Sequence, residues 1–491
     1  MPCPPGSLNA ISESRRLADR NPRAEGDKMT KISATRWRTA MLLAAGWLPL
    51  LGACSGGSGE ARPAPGPAAP AVPGNEAPPG GGQPVGGAPA PLPGAPPPAV
   101  VDEFLLAGYS PAPASVPAAA VFPGMDGSVA DPPHETPDAV LLARANRDAL
   151  YVSPKGIDSN PGTADRPFRS LARAARAVRA GITVYVAPGA YGGGVRTNAS
   201  GRADARITYV STTKWGARIV PPPNSQASAA WDNRGDYADV VGFEIDGRGY
   251  REGVRWTHGI YNGGSYDSIR NNYIHHIAQN VDCTPGGGAA IGIDSYYRAV
   301  KSDAIANLLH DIGPAGCHYI QGIYFSTSGS VKNNVIYRVA EAGIHLWHDA
   351  NNVVITNNTV TASNTGIIVG GGNFYHTKGP NDHTMVYSNI VYDNKMGISE
   401  QGRTGANNSY RNNLVYRNAR FNWSLKNGLA HSGTVSSPPL FVGGDASVPN
   451  LKPSGSSPAV GQASPTHAAS TDFEGRSRNS RTGFDIGAYQ H

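Results

Sequence analysis

Asn333-Asn334-Val335-Ile336-Tyr337-Arg338-Val339-Ala340-Glu341-Ala342-Gly343-Ile344-His345-Leu346-Trp347 contains both marks of a repeat: an asparagine before an apolar, β-forming pair, and a Gly-Ile step. The asparagine recurs as Asn272, Asn307, Asn334, Asn358, Asn389 and Asn413, spaced by 35, 27, 24, 31 and 24 residues. Units of this length stack on one another. The Gly-Ile steps, at Ile260, Ile293, Ile323, Ile344, Ile367 and Ile398, keep the same beat. Equivalent positions of neighbouring coils lie about 4.8 Å apart, so a residue type that recurs once per coil becomes a ladder along the axis. The asparagines are expected to bond one another and the turn backbone, with the isoleucines filling the core. Leucine-rich repeats share the period but need a leucine framework that is absent here, and propeller blades need longer units marked by glycine and tryptophan. The fold class expected is all-β, a single-stranded right-handed parallel β-helix with an N-terminal capping helix.

Upstream, the chain reads as an address. Basic residues from Lys31 to Arg38 precede the apolar run Ala40 to Leu51 and then Gly52-Ala53-Cys54, a signal peptide in charge, length and small-residue ending. Met29 is the expected start. Cys54 resembles the lipidated cysteine of a bacterial lipobox, and Ser55 resembles the outer-membrane sorting pattern of Gram-negative lipoproteins. Residues 1–54 are therefore assigned to an upstream extension and lipoprotein signal, with a membrane anchor at Cys54 and a periplasmic or cell-surface location. Residues 55–100 are rich in Pro, Gly and Ala and cannot bury enough surface to fold, so they read as a tether. Residues 101–147 are mixed and irregular. The β-helix domain is expected over 148–491, as a monomer.

Of the four cysteines, Cys3 precedes the expected start and Cys54 carries lipid, which leaves Cys283 and Cys317 in the exported domain. They fall in insertions of adjacent coils. A disulfide and two buried thiols both fit that placement. The formal charge of +6 is spread without blocks of like sign. Mild basicity suits an acidic polysaccharide partner, while export and the lack of a recognition motif argue against nucleic acid.

Tyr151-Val152-Ser153-Pro154-Lys155-Gly156, Asn160-Pro161-Gly162-Thr163, Arg166-Pro167-Phe168, a helical stretch from Ser170 to Arg179 and the turn Pro188-Gly189-Ala190-Tyr191 follow in order. This block resembles the amino-terminal cap of the pectate-lyase-like right-handed β-helix superfamily, especially its chondroitinase B and family nine pectate lyase branches. Asp472-Phe473-Glu474-Gly475-Arg476 and Asp485-Ile486-Gly487-Ala488-Tyr489 resemble the tail of bacterial surface β-helix proteins. The resemblance spans residues 150–491. It implies the fold and a carbohydrate context, in a superfamily of lyases, hydrolases, epimerases and non-catalytic proteins.

If each Gly-Ile isoleucine points inward, the next residue points out, and so does the one two further on. The first outward rung is then Tyr261, Asp294, Tyr324, His345, Ile368 and Ser399, and the second Gly263, Tyr296, Ser326, Trp347, Gly370 and Gln401. His348 and Asp349 flank them. Aromatic and titratable groups on one strand face suit a sugar-binding groove; packing beneath a long loop is the plainer alternative. Loops 279–291 and 312–320 are expected to wall the groove.

A uronic-acid lyase must neutralise the substrate carboxylate, remove the C5 proton and protonate the departing oxygen. His345 is the candidate base, Tyr324 or Tyr261 the candidate acid, and Asp294 a metal ligand or an orienting group. Tyr296, Trp347 and His348 are candidate sugar contacts, with Arg298 or Arg255 on the carboxylate. Calcium, which the family nine resemblance implies, has only Asp236, Asp239 and Asp246 as candidate ligands, and these read equally as a coil corner and a turn. His275, His276, His310 and Asp311, directly after the asparagine ladder, read as turn residues bonding the backbone rather than as a metal row. The expected function is β-elimination on an acidic polysaccharide. A uronan C5-epimerase and a non-catalytic glycan-binding protein are the alternatives; a hydrolase lacks its paired carboxylates on this face.

Overall fold

The computed structural model describes residues 149–444, 449–478 and 483–491; the signal segment with Cys54, the tether and residues 101–147 lie outside that range. Three long parallel sheets of eleven, nine and nine strands run along one axis. Each complete coil contributes one strand to each sheet. In one coil Ser268–Arg270 joins the first sheet, Tyr273–His275 the second, and the next strand, Gly288–Ile293, the third, beside His258–Asn262 of the preceding coil. The architecture is the right-handed parallel β-helix expected from the repeat.

The asparagine ladder forms at the tight turn between the first and second sheets. Asn272, Asn307, Asn334, Asn358, Asn389 and Asn413 are all fully buried. From Asn307 on, each Oδ1 accepts from the backbone N–H and the Nδ2 of the preceding asparagine, as in Asn307 N to Asn334 Oδ1 at 2.9 Å and Asn307 Nδ2 to the same atom at 3.0 Å. Each Nδ2 that donates to its neighbour also reaches a carbonyl of the coil before, Asn334 to Ala304 at 2.9 Å. The turn can thus bury its backbone because asparagine carries both a donor and an acceptor. Inside, Ile260, Ile323, Ile344, Ile367 and Ile398 are completely buried, each worth roughly 1.5–3 kcal/mol of burial.

The register corrects one rung. Ile260 pairs with Ile291, not Ile293, and Ile291 with Ile323. Ala290-Ile291-Gly292-Ile293 offers two isoleucines two residues apart, and a shift by two keeps the in–out alternation, so pattern alone could not choose between them.

The first coil is plugged by the helix Leu171–Ala177, slightly shorter than expected, which buries Leu171 and Ala174. Ser170 caps it, accepting from Arg173 N at 3.1 Å. The tail folds back along the second sheet. Leu451, Phe473 and Ala488 pack with Trp215, Tyr273, Leu308 and Val335, and Ala459 and Ile486 pack with Ile390 and Leu414. Cys283 and Cys317 are joined as a disulfide, with Cα atoms 5.4 Å apart.

Candidate active site

On the outer face of the third sheet, the corrected register sets Tyr261, Gly292, Tyr324 and His345 side by side. Asp294 moves to the second outward rung, next to Gly263 and Ser326, in the place expected for Tyr296. Tyr296 lies beyond the strand in an exposed turn with Tyr297 and Arg298. The shift still brings Asp294 to Tyr261, whose hydroxyl donates to Oδ2 at 2.8 Å. Ser326 Oγ and the Tyr296 N–H donate to Oδ1 at 2.8 and 3.1 Å.

His258, which the Gly-Ile reading passed over, completes this group. Its ring meets Tyr261 edge to face at 5.3 Å. Its Nδ1 contacts Thr257 Oγ1 at 3.1 Å, and its Nε2 stands over Gly292, 3.4 Å from where a Cβ would be. The missing side chain at Gly292 makes room for the imidazole. Burial pushes its pKa down to about 4, against the upward pull of Asp294 and Asp232, so the ring is neutral near pH 7. Burial, reinforced by Asp294, raises the Tyr261 phenol well above its ordinary range. The only sequence signal for His258 was its place just before Gly259-Ile260.

Arg234 was not foreseen either. It is pinned by Asp232, with Nε to Oδ1 at 2.6 Å and a terminal nitrogen to Oδ2 at 3.2 Å. Its guanidinium lies over the rings of Tyr261 at 4.5 Å and Tyr297 at 3.9 Å. The other terminal nitrogen, NH1, is buried without a hydrogen-bond partner among the described residues. Beside it opens a cleft of about 390 Å³ lined by Arg196, Arg234, Arg298, Asp236 and Tyr297. Three guanidinium groups and the Asp236 carboxylate line this cleft, and Asp232 pairs with two of the three. Arg298 belongs to it; Arg255 lines a different cleft, with Trp256 and His276, and is not brought to Arg298.

His345 lies between Tyr324 at 5.3 Å and Trp347 at 5.6 Å. Both of its ring nitrogens are occluded and unpartnered among the described residues, and burial drives its pKa to about 3. Trp347 lies across glycines of neighbouring coils: a Cβ at Gly370 or Gly372 would come within 2.7 Å of the indole. The wall beyond these residues is the loop over 372–384, not the expected one. Buried Asp349 holds it through the N–H groups of Tyr375, His376 and Thr377 at 3.0–3.2 Å. Tyr375 stacks on His348 at 3.9 Å, bonds its Nε2 at 2.7 Å and meets Tyr296 edge to face. Residues 279–281 of the expected wall line the Arg255 cleft instead.

The calcium candidates do not fit one ion. Asp239 is bound by Arg206 and Arg270 on the first sheet, Asp246 by Arg218 and Arg248 on the second, and Asp236 accepts from Ser265 N at a turn. His275 and His310 are strand residues, not turn residues, and their rings contact the side chains of Glu244 and Tyr273.

Residues 154–196 match a family described as a protein of unknown function, DUF1565. An uncharacterised protein of Bacillus subtilis, YwoF, is 31% identical over 144 residues; the match spans 28% of this chain and 30% of that protein. Among solved structures, the pectate lyase Pel9A aligns at 18% identity and a TM-score of 0.47, covering 70% of this chain and 96% of its own. A rhamnogalacturonan lyase aligns at 16% and 0.39, covering 60% and 90%. The A-module of an Azotobacter vinelandii mannuronan C-5 epimerase aligns at 16% and 0.37, covering 54% and 68%. The fold itself stands on the sheet topology above.

Proposed function

We propose that this chain is a polysaccharide lyase that cleaves a uronic-acid-containing polymer by β-elimination on the outer face of the third sheet, tethered to the outer membrane through lipid on Cys54 and facing the periplasm or the cell surface. One arrangement supports the reading: a neutral imidazole, His258, beside the Tyr261–Asp294 pair, next to a cleft lined by Arg196, Arg234 and Arg298.

The polymer lies across the coils, with sugar rings against Tyr296, Tyr297 and Tyr375. Arg234, with Arg196 and Arg298, receives the uronate carboxylate and so acidifies the C5 proton. His258 Nε2 takes that proton. The released electron pair forms the C4–C5 double bond as the C4–O bond breaks. The Tyr261 hydroxyl turns from Asp294 to protonate the departing oxygen, and the imidazolium returns a proton to the phenolate. His345 is not the base in this scheme, because neither of its nitrogens is accessible. Asp232 is engaged by Arg234 and Arg196, and Asp349 by the 375–377 backbone, so neither stands ready as the second carboxylate of a hydrolase.

The test is to incubate the protein with uronic-acid polymers, with and without calcium, and to read double-bond absorbance, chain length and uronate configuration. Unsaturated, shortened product that disappears in His258→Ala supports the lyase. Inverted uronate in chains of unchanged length would make it an epimerase, and binding without either change a glycan-binding protein.

A further inference from the structure

The outer face of the second sheet carries three imidazoles that the proposed reaction does not use. His275 and His310 pair in register in adjacent coils, their rings stacked at 5.3 Å and 11°. His276 follows His275 at a φ of 54°, and its ring stands nearly perpendicular to both, at 5.0 and 5.8 Å.

The far nitrogens of the stacked pair are already held. His275 Nε2 lies 3.2 Å from Glu244 Oε1, and His310 Nε2 lies 2.8 Å from the Tyr273 hydroxyl. Metal-binding histidines are commonly fixed in this way, through the ring nitrogen that does not ligate. The Glu244 carboxylate accepts from the His275 Nε2–H, so Nδ1 carries a lone pair that accepts from the His276 Nδ1–H, and an ion would replace that proton. That Nδ1 lies 2.8 Å from Nδ1 of His276 and 3.7 Å from Asp246 Oδ1. Two ligands of a tetrahedral ion at metal distances of about 2.0–2.1 Å stand about 3.4 Å apart. The two observed spacings bracket that value.

We infer that Asp246, His275 and His276 form a binding site for a divalent transition metal ion of the zinc class, separate from the tyrosine face. Two nitrogens and one oxygen suit such an ion, whereas calcium takes six to eight oxygens. Half-buried His276 lines a cleft of about 180 Å³ with Arg248, Tyr250 and Arg255, through which an ion can reach the triad and in which a fourth ligand can sit. His276 also belongs to an adjoining group with His310 and Asp311, a second carboxylate within reach. Arg248 now spans Asp246, with its Nε at 2.9 Å and a terminal nitrogen at 3.0 Å. Its guanidinium is the cation that the ion displaces, and it is partly exposed at the cleft wall.

The test titrates zinc chloride into the full chain, free of any affinity tag and stripped with chelator, followed by calorimetry, bound-metal analysis and thermal unfolding. One zinc per chain is expected, with a melting temperature that climbs with the logarithm of free zinc and no response to calcium at equal concentration. His276→Ala, whose fold is checked by circular dichroism, loses the stoichiometric zinc. Glu244→Gln weakens binding about 10- to 100-fold, and Arg248→Ala strengthens it. Failure to bind one zinc, or zinc binding unchanged in His276→Ala, overturns the inference.

Discussion

Tyr261 and Asp294 are 33 residues apart in sequence, yet the phenol donates a 2.8 Å hydrogen bond to the carboxylate from the neighbouring coil. They stand on a diagonal, because Tyr261 pairs with Gly292 and Asp294 lies two residues further along that strand. The pairing holds the phenol at the face where His258 and Arg234 meet. Tyr261→Phe removes only the hydroxyl, so the ring contacts persist. Turnover of a uronic-acid polymer is expected to fall about 10²- to 10⁴-fold with an unchanged far-ultraviolet spectrum; a smaller loss would remove Tyr261 as the acid.

The pH profile follows from His258. A base works when deprotonated, and burial sets its pKa near 4 rather than the usual 6.5. Activity should therefore hold between pH 6.5 and 5 and fall as pH drops through about 4. The measurement is kcat/KM against pH, since its acid limb reports the free enzyme. A midpoint near 6.5 would argue against this base. The same depressed pKa has a stability consequence: its contribution is full above 6.5, the unfolded value, and is lost as pH falls toward 4, where the unfolded chain binds the extra proton.

Asn334→Ala breaks the ladder at its middle. The buried N–H and Nδ2 of Asn307 lose their shared acceptor, and Ala304 and Asn358 lose a donor. Buried orphans of this kind cost about 1–3 kcal/mol each. A loss of roughly 3 kcal/mol is expected, read as a lower urea midpoint; an unchanged midpoint would mean that the ladder contributes nothing to stability.

The Cys283–Cys317 link closes a segment with a sequence separation of 34 residues. Chain-entropy arguments give roughly 3–4 kcal/mol for such a closure. The double substitution to serine should lower the unfolding midpoint accordingly in the oxidised protein. Adding reductant to the native chain should reproduce the change.

The ladder and the core isoleucines were legible because each recurs once per coil and each has one physical role. The site was legible only as a face. Tyr261, Tyr324 and His345 fell on it, but the register could not be counted through the insertion before Gly288, so Asp294 was placed one rung away from its position. His258 and Arg234 do not repeat, and nothing periodic points to them. Arg234 matters through its local pair with Asp232 and through the two tyrosine rings that enclose it, and the ring contacts exist only once the coils are stacked. The loop over 372–384 is set by Asp349, whose three backbone partners no spacing rule foretells.

The strap formed by residues 449–478 and 483–491 has a consequence for biogenesis. Leu308, Val335, Ile390 and Leu414 form a greasy stripe that stays dry only because Phe473, Ile486 and Ala488 lie over it. Ribosomes make that stripe before its cover. The stripe therefore waits, wetted and adhesive, until the strap has been made, and a polypeptide released before residue 449 is the species that holdase chaperones would be expected to capture.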